Sequence, residues 1–155
     1  MALGGSGHSG TGKRPYVVFI SHSSRDAWIA SMMAEKVSAL GAEAWLDVKD
    51  LEGGDVVTAK ILEGLDACEE AVVLVSPNSV GSHWVVFEIG AAWGQHKRIT
   101  PILNHVSFDA IAPLREVKAI ELNNLDRFLS ELGKRISPLS RYSTILRMWR
   151  LASAR

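Results

Sequence analysis

Cysteine and net charge are scarce in this 155-residue chain, and each scarcity removes a class of protein. The single cysteine, Cys68, rules out an intrachain disulfide and a cysteine-built zinc site, which suits a reducing compartment. Lys plus Arg and Asp plus Glu balance at 17 each, so the surface as a whole is not a nucleic-acid or membrane footprint. No apolar run nears the roughly 20 residues that cross a bilayer, and the N-terminus lacks the apolar stretch of a secretion signal. His22, His83, His96 and His105 lack metal-ligand spacing, and no acid-base triad is suggested. These absences predict a soluble, cytoplasmic protein with no bound metal and no direct contact with nucleic acid or membrane.

What is present is 47% hydrophobic content, enough at this length for one compact domain with a full core. Residues 1–13 are dominated by Gly and Ser and read as disordered. Gly7 and Gly12-Lys13 stand there at P-loop spacing, but Arg14 follows where the motif needs Ser or Thr, and no strand precedes it. From Lys134 onward six basic residues and no acid occur, leaving eleven basic against seventeen acidic residues before them. The expected organisation is therefore a domain over 14–136 and a basic amphipathic tail over 137–155. Ile145, Leu146 and Trp149 of the tail are placed to pack on the body, to dock an effector or sensor partner, or to lead into a further domain.

Within the domain, apolar runs and helical periodicities alternate. Strands are predicted at Tyr16 to Ile20, Ala44 to Leu46, Ala71 to Val75, Ile99 to Leu103 and, more weakly, Val117 to Leu122. The first helix follows from Asp26, with Ile29, Met33, Val37 and Leu40 on one face, Ser23 and Asp26 as a capping box, and Gly41 as the stop. The second is capped by Asp55 and buries Val57, Ile61, Leu62 and Leu65, and the last spans Leu125 to Ile136. Apolar strands alternating with helices argue an α/β fold, an open parallel sheet covered on both faces. Ligands bind such sheets at the carboxyl ends of the strands. That edge gathers Ser21 to Ser24, the acidic glycine-containing loop Asp47 to Gly54, and Ser76 to Trp84.

The stretch Ser82 to Gly94 reads as a helix capped by serine and closed by glycine. At about 100° per residue, Val85, Val86, Ile89, Ala92 and Trp93 form the expected core face. Trp84, Phe87, Glu88 and Ala91 take the remainder, so a carboxylate shares a flank with an indole four residues earlier. An indole beside an acid suits a pocket that stacks a flat ring and holds a positive centre. The same pattern also describes an amphipathic helix whose Trp84 packs under a loop and whose Glu88 faces water.

Three segments together resemble the Toll/interleukin-1 receptor (TIR) domain family. They are Tyr16-Val17-Val18-Phe19-Ile20-Ser21-His22, the stretch from Trp45 to Asp55, and Trp84 with Glu88 four residues later. The resemblance covers about residues 15–136 and implies a flavodoxin-like sheet of five parallel strands. Some members only scaffold signalling complexes, and others cleave NAD⁺ at the nicotinamide-ribose bond. The cleaving members carry a glutamate four residues after a tryptophan on the third helix, so the resemblance makes Glu88 catalytic. It implies that His22, Ser23, Ser24, Asp47, Leu51, Glu52 and Trp84 line the NAD⁺ cleft, with NAD⁺ as substrate and no resident cofactor. The family often places basic residues in the first loop; this chain has His22, Ser23 and Ser24 there, with Arg25 just beyond. The resemblance further implies self-association between copies and a prokaryotic immune (anti-phage) role. Two other functions share the sheet: a non-enzymatic adaptor, and a nucleoside deoxyribosyltransferase-like enzyme that also uses a glutamate.

Overall fold

The computed structural model describes residues 14–46 and 57–137. Its elements in chain order are β1 (Val17–Ser21), α1 (Ala27–Ala39), β2 (Glu43–Leu46), α2 (Val57–Ala67), β3 (Glu70–Val75), α3 (His83–Gly94), β4 (Arg98–Leu103), β5 (Ile120–Glu121) and α4 (Leu125–Ile136), with short 3-10 turns before α1, β5 and α4. The five strands are parallel in the order β2-β1-β3-β4-β5, which is the expected flavodoxin-like sheet.

Strand composition explains the layers. All six residues of β3 are buried, because the central strand is covered on both faces and can carry an unbroken apolar run. Alternate side chains divide between two cores. Val18, Ile20, Val72, Leu74 and Ile102 pack with Ile29, Met33 and Val37 of α1 and Phe128 and Leu132 of α4. Phe19, Ala71, Val73, Val75, Ile99 and Leu103 face the other way, onto Ile61 and Leu65 of α2 and Val85, Ile89 and Ala92 of α3. On that second face Trp45 stacks on Phe19 with centroids 4.9 Å apart. A Cβ on Gly64 would stand 2.9 Å from the Trp45 ring, so glycine is what lets α2 lie this close to the sheet.

Several boundaries differ from the expected ones. The last strand is only Ile120–Glu121, pairing with β4 at Ile102 and Leu103; of the expected strand, Val117 to Ala119 form an irregular link at the sheet edge and Leu122 opens a 3-10 turn. Leu62 is exposed rather than part of the α2 stripe. The capping box is also absent: Ser23 accepts from the Arg25 amide and caps the 3-10 turn Ser24–Asp26, while Asp26 makes no cap hydrogen bond. Gly41 does end α1, with φ of 84° that an L side chain rarely adopts. At the end of α3, Gly94 is the last helical residue, and His96 two positions on takes the left-handed turn. No helix among the described residues is long and apolar enough to cross a membrane.

Candidate active site

The order β2-β1-β3 means that the connections leaving β1 and β3 depart to opposite sides, so a crevice opens between the carboxyl ends of these two strands. The loop after β1 brings Ser21 to Asp26 to the crevice. The loop after β3 brings Ser76 to Ser82, and α3 descends from there along the α2 side of the sheet.

The two loops are tied by one buried carboxylate. Ser76 Oγ donates to Asp26 Oδ2 at 2.5 Å, and Asn78 Nδ2 donates to Asp26 Oδ1 at 2.7 Å. Both are charge-assisted and therefore stronger than neutral pairs. Ser76 and Ser79 close the second loop on itself: the Ser76 amide donates to Ser79 Oγ at 2.7 Å, and that hydroxyl donates back to the Ser76 carbonyl at 3.1 Å. Asp26 thus sets the spacing of the crevice walls. Its position in sequence suggested only a helix start, and no local spacing would have revealed partners some 50 residues away.

His22 is buried, and its Nδ1 lies 3.3 Å from the Ile20 carbonyl. A carbonyl only accepts, so Nδ1 is the donor in that contact. Ser23 is half-buried with its hydroxyl engaged by the Arg25 amide, and Ser24 is exposed. Ser21, which the sequence placed at the carboxyl edge without a role, is buried at the end of β1, and its Oγ has no hydrogen-bond partner among the described residues. Asp47, Leu51 and Glu52 lie outside the described residues, as do Ile145, Leu146 and Trp149.

The third helix is rotated from its expected orientation. Ser82 caps it, accepting from the Val85 amide at 3.4 Å. The face against the sheet is Val85, Glu88, Ile89 and Ala92, whereas Val86 and Trp93, expected in the core, are 44% and 42% exposed. Glu88 is 1% exposed and so belongs to the interior face, not to a water-facing one. The physical reason is surplus: α3 carries more apolar residues than one face can cover, so hydrophobicity alone left its rotation undecided. Trp84 remains at the surface, 49% exposed, in edge-to-face contact with Phe87 at 6.1 Å. Trp84 and Glu88 are thus helical neighbours, one at the rim and one inside.

A carboxylate held away from water acts on charge in a weakly screened environment, where electrostatic stabilisation is strongest. An exposed indole at the rim offers a flat apolar surface to an aromatic ring. Among the described residues no three His, Cys, Asp or Glu side chains gather as metal ligands would.

Comparison with known proteins agrees with this architecture. A family model described as TIR domain matches residues 18–136. The chain is 32% identical over 103 residues to the 2′ cyclic ADP-D-ribose synthase BtTIR of Bacteroides thetaiotaomicron, covering 63% of this chain and 36% of that protein. It is 30% identical over 117 residues to the NAD(+) hydrolase PdTIR of Paracoccus denitrificans, covering 72% and 39%. The chain therefore spans little more than a third of the length of these two relatives. Among solved structures, a metazoan TIR-STING receptor from C. gigas superposes with a TM-score of 0.64 at 23% identity, over 76% of this chain and 39% of that one, a likeness of fold. With the family match running from β1 to the end of α4, over the sheet and helices described above, this chain belongs to the TIR domain family.

Proposed function

We propose that this chain is an NAD⁺-cleaving enzyme that breaks the bond between nicotinamide and ribose, with Glu88 as the catalytic carboxylate. The observation that carries the reading is the burial of Glu88 on the inner face of α3, the helix that leaves the loop after β3, one helical turn from an exposed tryptophan. The names of the two relatives, a hydrolase and a cyclic ADP-ribose synthase, support the same bond and differ in the acceptor.

The chemistry needs little more than one acid. Nicotinamide in NAD⁺ is a cationic pyridinium and leaves as a neutral base, taking the electron pair of the bond, so no general acid has to protonate it. What needs help is the positive charge that develops on the ribose. Glycosidases that expel a poor leaving group use two carboxylates. Here one carboxylate, aimed at the ribose from a dry helix face, offsets that charge. Water attacking the anomeric carbon then gives ADP-ribose, and a hydroxyl of the substrate itself gives a cyclic isomer; either acceptor loses a proton to solvent. Trp84 stacks a ring of the substrate at the rim, and His22, Ser23 and Ser24 form the wall after β1. By resemblance, Asp47, Leu51 and Glu52, which lie outside the described residues, are assigned to the same cleft.

Self-association belongs to this reading, since by resemblance the loop over 47–55 packs against a neighbouring domain, and the exposed Val86, Phe87 and Trp93 leave apolar surface on the outside of α3. The output is nucleotide loss or a cyclic nucleotide signal in prokaryotic anti-phage immunity. The test is chromatography with mass spectrometry of products after incubation of concentrated protein with NAD⁺. Nicotinamide with ADP-ribose or its cyclic isomer is the expected outcome; intact NAD⁺ at every protein concentration would favour the adaptor function instead.

A further inference from the structure

Ser21 is the last residue of β1, and its side-chain direction follows from strand period. Val18 and Ile20 point into the core beneath α1 and α4, and Phe19 points into the core beneath α2 and α3. Two residues after Phe19, Ser21 faces the α2 and α3 side. It lies in register with Val73 of β3, whose side chain occupies the same layer. The corresponding β3 positions, Val73 and Val75, are apolar, as a buried strand end normally is. Ser21 instead places a hydroxyl there, 1% exposed, and Oγ finds no hydrogen-bond partner among the described residues. Buried polar groups are nearly always satisfied, so an orphan one has either a missing ligand or an energetic penalty with no return.

Glu88 is buried on the same face. It stands one residue before Ile89 and three after Val85, both in the layer that holds Phe19 and Val73. A buried carboxylate and a buried hydroxyl therefore lie on one side of the sheet, on the elements that bound the crevice at the switch of strand order. We infer that the Ser21 hydroxyl is a further substrate-binding group, hydrogen-bonding a hydroxyl of the nicotinamide ribose alongside Glu88; this rests on the NAD⁺-cleaving reading above. A ribose hydroxyl that donates its proton to a carboxylate still has lone pairs to satisfy once it leaves water. A serine hydroxyl can donate to them, whereas a valine at that position could not. Both groups have almost no contact with water among the described residues, so a ribose hydroxyl bound there exchanges its water partners for these two side chains.

Ser21→Ala removes the hydroxyl and leaves a small side chain that fits the same space. The expected result is a fall of about tenfold in kcat/KM for NAD⁺, the scale of one hydrogen bond. The thermal midpoint should stay the same or rise, because an unsatisfied buried group has gone. NAD⁺ analogues lacking the 2′- or the 3′-hydroxyl of the nicotinamide ribose complete the cycle. One of them should be cleaved poorly by the parent yet suffer little further loss in Ser21→Ala, since the partner of the missing hydroxyl is already absent. Parental activity in Ser21→Ala, a lowered midpoint that accounts for the loss, or equal discrimination against both analogues by both proteins would each overturn the inference. If those outcomes accompany a parent that cleaves NAD⁺ and an inactive Glu88→Gln, the functional reading stands without Ser21. A parent that leaves NAD⁺ intact removes both.

Discussion

Two glutamates are buried among the described residues, Glu70 on β3 and Glu88 on α3. Glu70 opens β3 at the amino edge of the sheet, where Arg135 of α4 approaches with Nε 2.8 Å from Oε2 and Nη2 donating to Oε1 at 3.0 Å. The Tyr16 hydroxyl adds a hydrogen bond at 3.2 Å, and Arg98 stands 3.9 Å away. Glu88 lies on α3 below the carboxyl-edge loops, on a helix face otherwise made of Val85, Ile89 and Ala92. The first acid is surrounded by cations and ties the end of α4 to the sheet. The second shares its helix face with apolar residues. The Arg135 pair neutralises the first buried acid and so serves stability, whereas the second lies on an apolar helix face that the proposed function sets against a cationic transition state.

Exchange of the two roles is the sharpest way to break the comparison. Glu70→Gln leaves Arg135 without its counter-charge and should cost about 3 kcal/mol or more, the scale of half-removing a buried ion pair, as a large drop in thermal midpoint. The cleavage rate of the protein that remains folded should be little changed. Glu88→Gln should do the opposite, lowering NAD⁺ cleavage by roughly 10² or more while the midpoint holds. A Glu70 variant that melts normally, or a Glu88 variant that cleaves normally, would erase the distinction.

Asp26 falls between these cases, because it is buried and hydrogen-bonded yet borders the crevice. Asp26→Ala removes the acceptor of both Ser76 and Asn78 and should cost roughly 2–3 kcal/mol by denaturant titration. Cleavage should fall as well, since the two walls are no longer held at one spacing. Unchanged stability with lost activity would place Asp26 with Glu88 instead.

The smallest expected effect concerns pH. Burial, with Glu70 beside it, pushes the Tyr16 phenol up to about 12 from its ordinary value of 10. The folded chain thus holds this proton after the unfolded chain has lost it. The resulting stability is fully present below pH 10 and declines as pH rises toward 12. Because Tyr16 is only half-buried, the loss should be on the order of 1 kcal/mol. Tyr16→Phe should remove the decline from the alkaline unfolding profile, while Glu70→Gln should reduce it.

The α/β class and the order of its elements were legible in the sequence, because strand and helix signals are local: an apolar run such as Ala71 to Val75, or Ile29, Met33 and Val37 at helical spacing, needs no distant partner to be read. Segments poor in such signals were misjudged, as at Val117 to Leu122, where the edge of the sheet offers pairing to only two residues. The rotation of α3 was decided by tertiary packing. Val86 and Trp93 are as apolar as Val85 and Ile89, and only the contact with β3 and β4 selects which of them enter the core, carrying Glu88 inside with them. The roles of Asp26, Glu70 and Ser21 were hidden for a related reason. Their roles depend on Ser76, Arg135 and the layer beneath α3, groups that lie dozens of residues away and become neighbours when the parallel strands assemble. Local periodicity determined where the chain coils and extends; which polar side chains are buried, and what each one meets, follows from long-range burial that no short window of sequence contains.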